Sequence, residues 1–133
     1  QVVLAGQRAL EVMAREIAGS QSVYAPTSVF GVSPGQVSLQ TKAYLPAGET
    51  YSYIDFYKCG DKLCMKKESQ NPIAITPDNV SITNLKFLNI ATASGSSSVQ
   101  IQMALEFKTS SQNPEYQASM TLTDTVTLRS YGQ

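Results

Sequence analysis

The sequence predicts an α+β fold: an N-terminal amphipathic helix packed on an antiparallel β-sheet of roughly six or seven strands, a layering that buries a helix stripe against one sheet face. Two observations lead there. Apolar residues over positions 1–18 recur at helical spacing, and after Gly19 the chain reads as alternating strand segments separated by Pro, Gly and Asn/Asp turns. At 133 residues the length is that of one domain. It comprises a helix over 1–18 and a β domain over 19–133, without internal repeat or linker.

In the helix, Val3, Leu10, Met13, Ala14 and Ile17 share one face, while Arg8, Glu11, Arg15 and Glu16 take the other. The five apolar residues are expected to pack on the sheet. Gly19 stands where a left-handed C-cap is needed, with polar Ser20 and Gln21 after it. No Ser, Thr, Asp or Asn precedes the periodic stretch, and Gln1 already lies within it. The helix is therefore expected to continue upstream in a longer natural chain.

Residues 22–30 read as a polar and aromatic connector broken by Pro26, and Ser33-Pro34-Gly35-Gln36 as a turn. A strand follows over 37–44, then another over 51–59 with Ile54 and Phe56 on one face and Tyr51, Tyr53 and Tyr57 on the other. Two partly apolar faces suit a central strand, with the helix over one side and a loop or neighbouring subunit over the other. Leu63 to Lys67 returns from a hairpin at Gly60, and Ile73 to Ile75 makes a short strand. Val80 and Ile82 share one parity and Leu85 and Phe87 the other, which predicts a bulge or a transfer between sheets near Thr83-Asn84. Val99 to Phe107 alternates without fault. The last strand, 116–128, carries Asp124 on its apolar parity, a position expected at a bulge or the sheet margin.

Ten basic and ten acidic residues cancel, so no electrostatic footprint for nucleic acid or an anionic membrane exists. Charged residues make up only 15% of the chain, and Ser, Thr, Gln and Asn are abundant, as in exported, surface-displayed β domains. The longest apolar run in the helix, Val2 to Ala5, is far below the ~18 residues that span a bilayer.

Cys59 and Cys64 flank Gly60-Asp61-Lys62-Leu63, with strand-like residues on both sides. A disulfide stapling a hairpin near its tip is expected, hence an oxidising compartment; free buried thiols are the alternative. Thioredoxin-like sites need two intervening residues at a helix N-terminus, and two thiols without histidine cannot fill a zinc shell.

The chain has no histidine and no tryptophan, which removes Ser-His-Asp and Cys-His catalysis and every His-ligated metal. No glycine loop for phosphate or dinucleotide is present, so no cofactor is expected. Asp55, Glu106 and Asp124 are the carboxylates that could be paired for glycoside hydrolysis, but they read better as ordinary strand residues. Asp61 and Asp78-Asn79 lack the run of a calcium loop and read as turn residues. Tyr51, Tyr53 and Tyr57 admit two readings, sheet packing or a ligand-stacking surface.

Three segments carry a likeness: Met13-Ala-Arg-Glu-Ile-Ala-Gly-Ser20 ending the helix, Pro34-Gly-Gln-Val-Ser-Leu-Gln-Thr41, and Thr125-Val-Thr-Leu-Arg-Ser-Tyr131 near the C-terminus. Together they resemble type IV pilins and type II secretion pseudopilins, particularly J-type pseudopilins and W-type minor pilins. The resemblance covers both ends and the order of elements. It implies a non-enzymatic filament subunit, anchored in the inner membrane by an upstream hydrophobic half-helix before assembly and displayed outside the cytoplasm afterwards. It further implies that the helix meets other pilin subunits in the filament, with Val2, Val3 and Leu4 contacting neighbours where they exceed what the sheet covers. The leader and hydrophobic half-helix are not in this sequence, and Cys59 and Cys64 do not follow the C-terminal disulfide loop of major pilins. The other reading is a surface-displayed β-sandwich adhesin that binds carbohydrate or protein through its tyrosines.

Overall fold

The computed structural model describes residues 2–41, 52–68, 70–91, 97–107 and 119–128, the side chains of Val2, Val3 and Ala91 excepted. Helix α1 (Val2–Gly19) is followed by strands β1 (Ser22–Val23), β2 (Gln36–Thr41), β3 (Ser52–Cys59), β4 (Lys62–Lys67), β5 (Ile73–Ala74), β6 (Val80–Ala91), β7 (Ser97–Phe107) and β8 (Ser119–Thr127). The strands form two antiparallel sheets, of five in the order β1-β2-β3-β4-β5 and of three in the order β6-β7-β8.

The expected α+β layout, one helix on one sheet of six or seven strands, is thereby corrected: among the described residues the fold is mainly β, with one α-helix, a short 3-10 turn at Ala25–Thr27 and two sheets. The division falls at Pro77-Asp78-Asn79. Proline offers no N–H to extend the ladder from β5, and β6 starts a new sheet after it. The sheets meet along the outer margin of β6. There the Ile82 N–H donates to the Asp61 carbonyl at the β3–β4 turn (2.7 Å), and the Gly31 and Gly35 N–H groups donate to the Phe87 and Leu85 carbonyls (2.8 Å each).

One core results. Val37, Leu39, Ile54, Phe56, Leu63 and Met65 line the inner face of the five-stranded sheet. Val80, Ile82, Leu85, Phe87, Val99, Ile101, Met103 and Leu105 line that of the other. The expected parity change in β6 is a bulge: Ile82 pairs with Leu105 and Asn84 with Ala104, so the extra residue Thr83 brings Leu85 and Phe87 back to the core face.

The helix packs on β7 and β8 and not over β3, so the expected cover of the tyrosine strand is also corrected. Its buried stripe is Ala5, Ala9, Met13 and Ile17, spaced by four, while Leu10 and Ala14 are half-buried on one flank. Small residues let the helix approach closely. A Cβ added at Gly6 would stand 2.7 Å from Leu122 Cδ1 and 3.2 Å from both Leu105 Cδ1 and Met120 Sδ. Those atoms end flexible side chains, so Gly6→Ala should change stability little, helped by alanine's ~1 kcal/mol advantage in a helix. Gly6→Leu overfills the same space and should cost about 1–3 kcal/mol in urea denaturation.

The helix ends differently from expectation. Gly19 is not among the residues with positive φ; the stop is made by buried Ser20, whose N–H donates to Ile17 O (3.1 Å) and whose hydroxyl donates to Glu16 O (2.6 Å). The connector after it is no bare loop. It runs along the outer margin of β2, with the Gln21 N–H on Gln40 O (2.9 Å), the Tyr24 N–H on Ser38 O (2.8 Å) and a bridge between Val29 and Gln36.

Candidate functional site

Three surfaces are candidates, each fixed by the elements beneath it. The first is the exposed side of α1. The stripe facing the sheet leaves Leu4, 65% exposed, on the opposite side near Arg8. Leu4, Ala5 and Arg8 line an open groove of about 400 Å³ whose other wall is Ala74, Ile75, Thr76 and Pro77. Ile73, 53% exposed, precedes that wall. Of the five helix residues singled out by periodicity, Met13 and Ile17 are in the core, Leu10 packs at its margin and Ala14 is half-buried; the side chain of Val3 lies outside the described residues. Ala5, Gly6 and Ala9 were not legible as packing residues by hydrophobicity. Their small size at neighbouring helix positions was the available signal.

The second surface is the outer face of the five-stranded sheet. Ile54 and Phe56 point inward, so Tyr53, Asp55 and Tyr57 point outward. Tyr53 meets Tyr24 from the connector, ring centroids 4.9 Å apart at 57°. This tilted contact, with Tyr24 as the partner that sequence reading did not bring in, leaves both rings half-buried. Tyr57 lies opposite Gln36 on one side and Cys64 on the other. Tyr51 lies outside the described residues.

The third feature is the hairpin tip. Cys59 and Cys64 form a disulfide with Cα atoms 5.9 Å apart, and only Gly60 of the two turn residues takes positive φ (64°), the glycine-first pattern of a type II′ turn. The disulfide holds the turn whose Asp61 carbonyl accepts the Ile82 N–H, so it secures a joint between the sheets. Lys62 beside it pairs with Asp78. Asp78, accepting that hydrogen bond and adding its charge, raises the Lys62 pKa, and Asp61 adds to the effect. Cys59→Ser with Cys64→Ser is expected to remove about 2 kcal/mol of stability. Hydrogen exchange at the Ile82 amide should quicken beyond what that global loss explains.

The carboxylates are dispersed. Asp55 faces Lys66 across β3 and β4 in one sheet. In the other, Glu106 and Asp124 stand on opposite faces, since Asp124 pairs with inward Ile101 whereas Glu106 has the other parity. Asp124 is in unbroken register on the marginal strand β8, so it sits at the sheet margin and not at a bulge. Among the described residues no three His, Cys, Asp or Glu side chains gather as a metal site, and no helix is long and apolar enough to cross a membrane. Comparison with protein-family models, characterised proteins and solved structures finds no match to this chain.

Proposed function

We propose that the chain is a non-enzymatic structural subunit of a type IV pilus or type II secretion pseudopilus, joined to its neighbours through α1. The observation that carries this reading is an exposed leucine, Leu4, on the side of α1 turned away from the sheet, beside an open groove. Ala9, Met13 and Ile17 are buried against the β domain, whereas Leu4 is 65% exposed and lines the groove with Ala5 and Arg8. Repeated contacts between subunits need apolar area of modest strength and no reacting group. The separation of Asp55, Glu106 and Asp124 accords with that role. The resemblance at the two ends of the sequence supports it independently, and with it an inner-membrane anchor upstream and a final place outside the cytoplasm.

The test is to shear surface fibres from cells carrying the intact gene and probe them with antibody to the β domain. Labelled fibres that vanish on deletion of the gene are expected. Protein found only as a cytosolic species would refute the proposal.

A second reading, an adhesin domain, is favoured by the Tyr24–Tyr53 pair on the outer sheet face. Binding to a glycan array that Tyr53→Ala abolishes, in a protein absent from fibres, would replace the first reading by this one.

A further inference from the structure

Among the described residues the long marginal strands are treated unequally. The outer margin of β2 is covered by residues 21–29. That of β6 is covered at Ile82, Leu85 and Phe87, where the Leu85 N–H also donates to Ser33 Oγ (3.2 Å). Among the described residues, none outside the strand bonds to the outer margin of β8.

Which groups of β8 face outward follows from the ladder. Leu128 N–H donates to Ser97 O (2.9 Å), and the register runs unbroken from Ser98 opposite Thr127 to Glu106 opposite Ser119. Antiparallel alternation then turns the backbone of the even-numbered residues toward β7 and that of Ser119, Thr121, Thr123, Thr125 and Thr127 away from it. Of these outward groups, the Thr125 N–H is held by Asp124 Oδ1 (2.9 Å). The strand has no proline, no lysine or arginine, and no bulge; its one protection as a margin is the charge of Asp124 on the inward parity.

We propose that β8 pairs with β8 of a second copy of this chain, antiparallel and centred on Thr123, to make one six-stranded sheet from two three-stranded ones. The sequence of the strand identifies the occupant. Ser-Met-Thr-Leu-Thr-Asp-Thr-Val-Thr reads nearly the same in both directions, with a hydroxyl residue at every outward-bonding position. Centring on Thr123 sets Thr121 against Thr125 and Ser119 against Thr127, so all nine residues overlap and outward donors meet outward acceptors. At ~3.4 Å per residue the joint is about 30 Å long.

Charge selects this register. It puts Asp124 opposite Leu122 and Met120 opposite Val126, whereas centring one residue later would put Asp124 against Asp124, and like charges directly opposite are unfavourable. Leu10 and Ala14 continue the Gly6 flank of α1 that packs on β8, adding half-buried apolar surface beside the joint. Asp124 also weakens the pairing, because its carboxylate must release the Thr125 N–H before that group can bond across. The inference concerns the 133-residue chain in solution and does not rest on the filament reading.

Sedimentation equilibrium and cysteine cross-linking of that chain test it. Concentration-dependent dimers are expected, tightened several-fold by Asp124→Thr. Thr123→Pro should leave a folded monomer, since the only N–H it removes points outward; should that variant fail to fold, Thr123→Lys must give the monomer. Thr123→Cys should cross-link to itself under mild oxidation, and Thr121→Cys to Thr125→Cys only when the two variants are mixed. A chain that stays monomeric at its solubility limit, or dimers that survive a folded Thr123 variant, would overturn the proposal. A strand from an unrelated protein as the true occupant would give the monomeric result.

Discussion

Met13→Asp is expected to be the most damaging single change in the helix, lowering stability by about 3–5 kcal/mol, the cost of an uncompensated buried charge. Met13 is fully buried between α1 and the three-stranded sheet. Its neighbours in the stripe, Ala9 and Ile17, offer no hydrogen-bond donor to a carboxylate. Since a domain of this kind holds only ~5–15 kcal/mol in total, the variant should be largely unfolded in mild urea or should detach α1 from β7 and β8. Urea denaturation with far-ultraviolet circular dichroism checks this. A loss below about 1 kcal/mol would mean that the helix does not pack as described, because only an exposed site tolerates such a change.

Phe87→Ala should cost a similar amount, about 3–5 kcal/mol, through a different mechanism, the cavity left in a filled core. Phe87 is fully buried on β6 where the 31–35 segment crosses it: its carbonyl accepts the Gly31 N–H, and its ring edge lies 3.4 Å from where a Cβ at Gly35 would stand. The expected signature is local as well as global. Thermal melting should fall by more than about 10 °C, and the Gly31 and Gly35 amides should lose protection from hydrogen exchange before the centre of β7 does. Uniform loss of protection would contradict the role assigned to this crossing in joining the two sheets.

What the sequence disclosed follows from how far each signal reaches. Side-chain alternation reports facing, and it located β7, the inward pair Ile54 and Phe56, and a parity slip near Thr83-Asn84, which it left as a bulge or a transfer between sheets and which is a bulge. It carries no information on which strands share hydrogen bonds. The two sheets could therefore not be told from one: Val37 on β2 and Val99 on β7 are equally buried, though they belong to different sheets. Pro77 was legible as a break, but a break does not say whether the next strand rejoins its predecessor.

The helix illustrates the same limit. Spacing found Met13 and Ile17, while Ala5, Gly6 and Ala9 matter by being small, a property that a hydrophobic pattern undervalues. Leu10 is more apolar than any of those three and sits only at the margin, because the buried stripe drifts around the helix at a spacing of four. Among the candidate surfaces, the hairpin disulfide was legible from Gly60-Asp61 between strand-like flanks. The Tyr24–Tyr53 contact was not, since it joins residues distant in sequence through the path of the connector along β2.

The central claim is that the outer side of α1 is seated against other copies of this protein in a fibre. A photo-crosslinking side chain placed at Leu4, which is exposed in the single chain, tests it most directly when carried by the intact protein in its own cells. The account predicts a ladder of covalent multimers of the same subunit in the sheared fibre fraction. Irradiation that leaves only monomer, or that joins position 4 to a protein that forms no fibre, would contradict it.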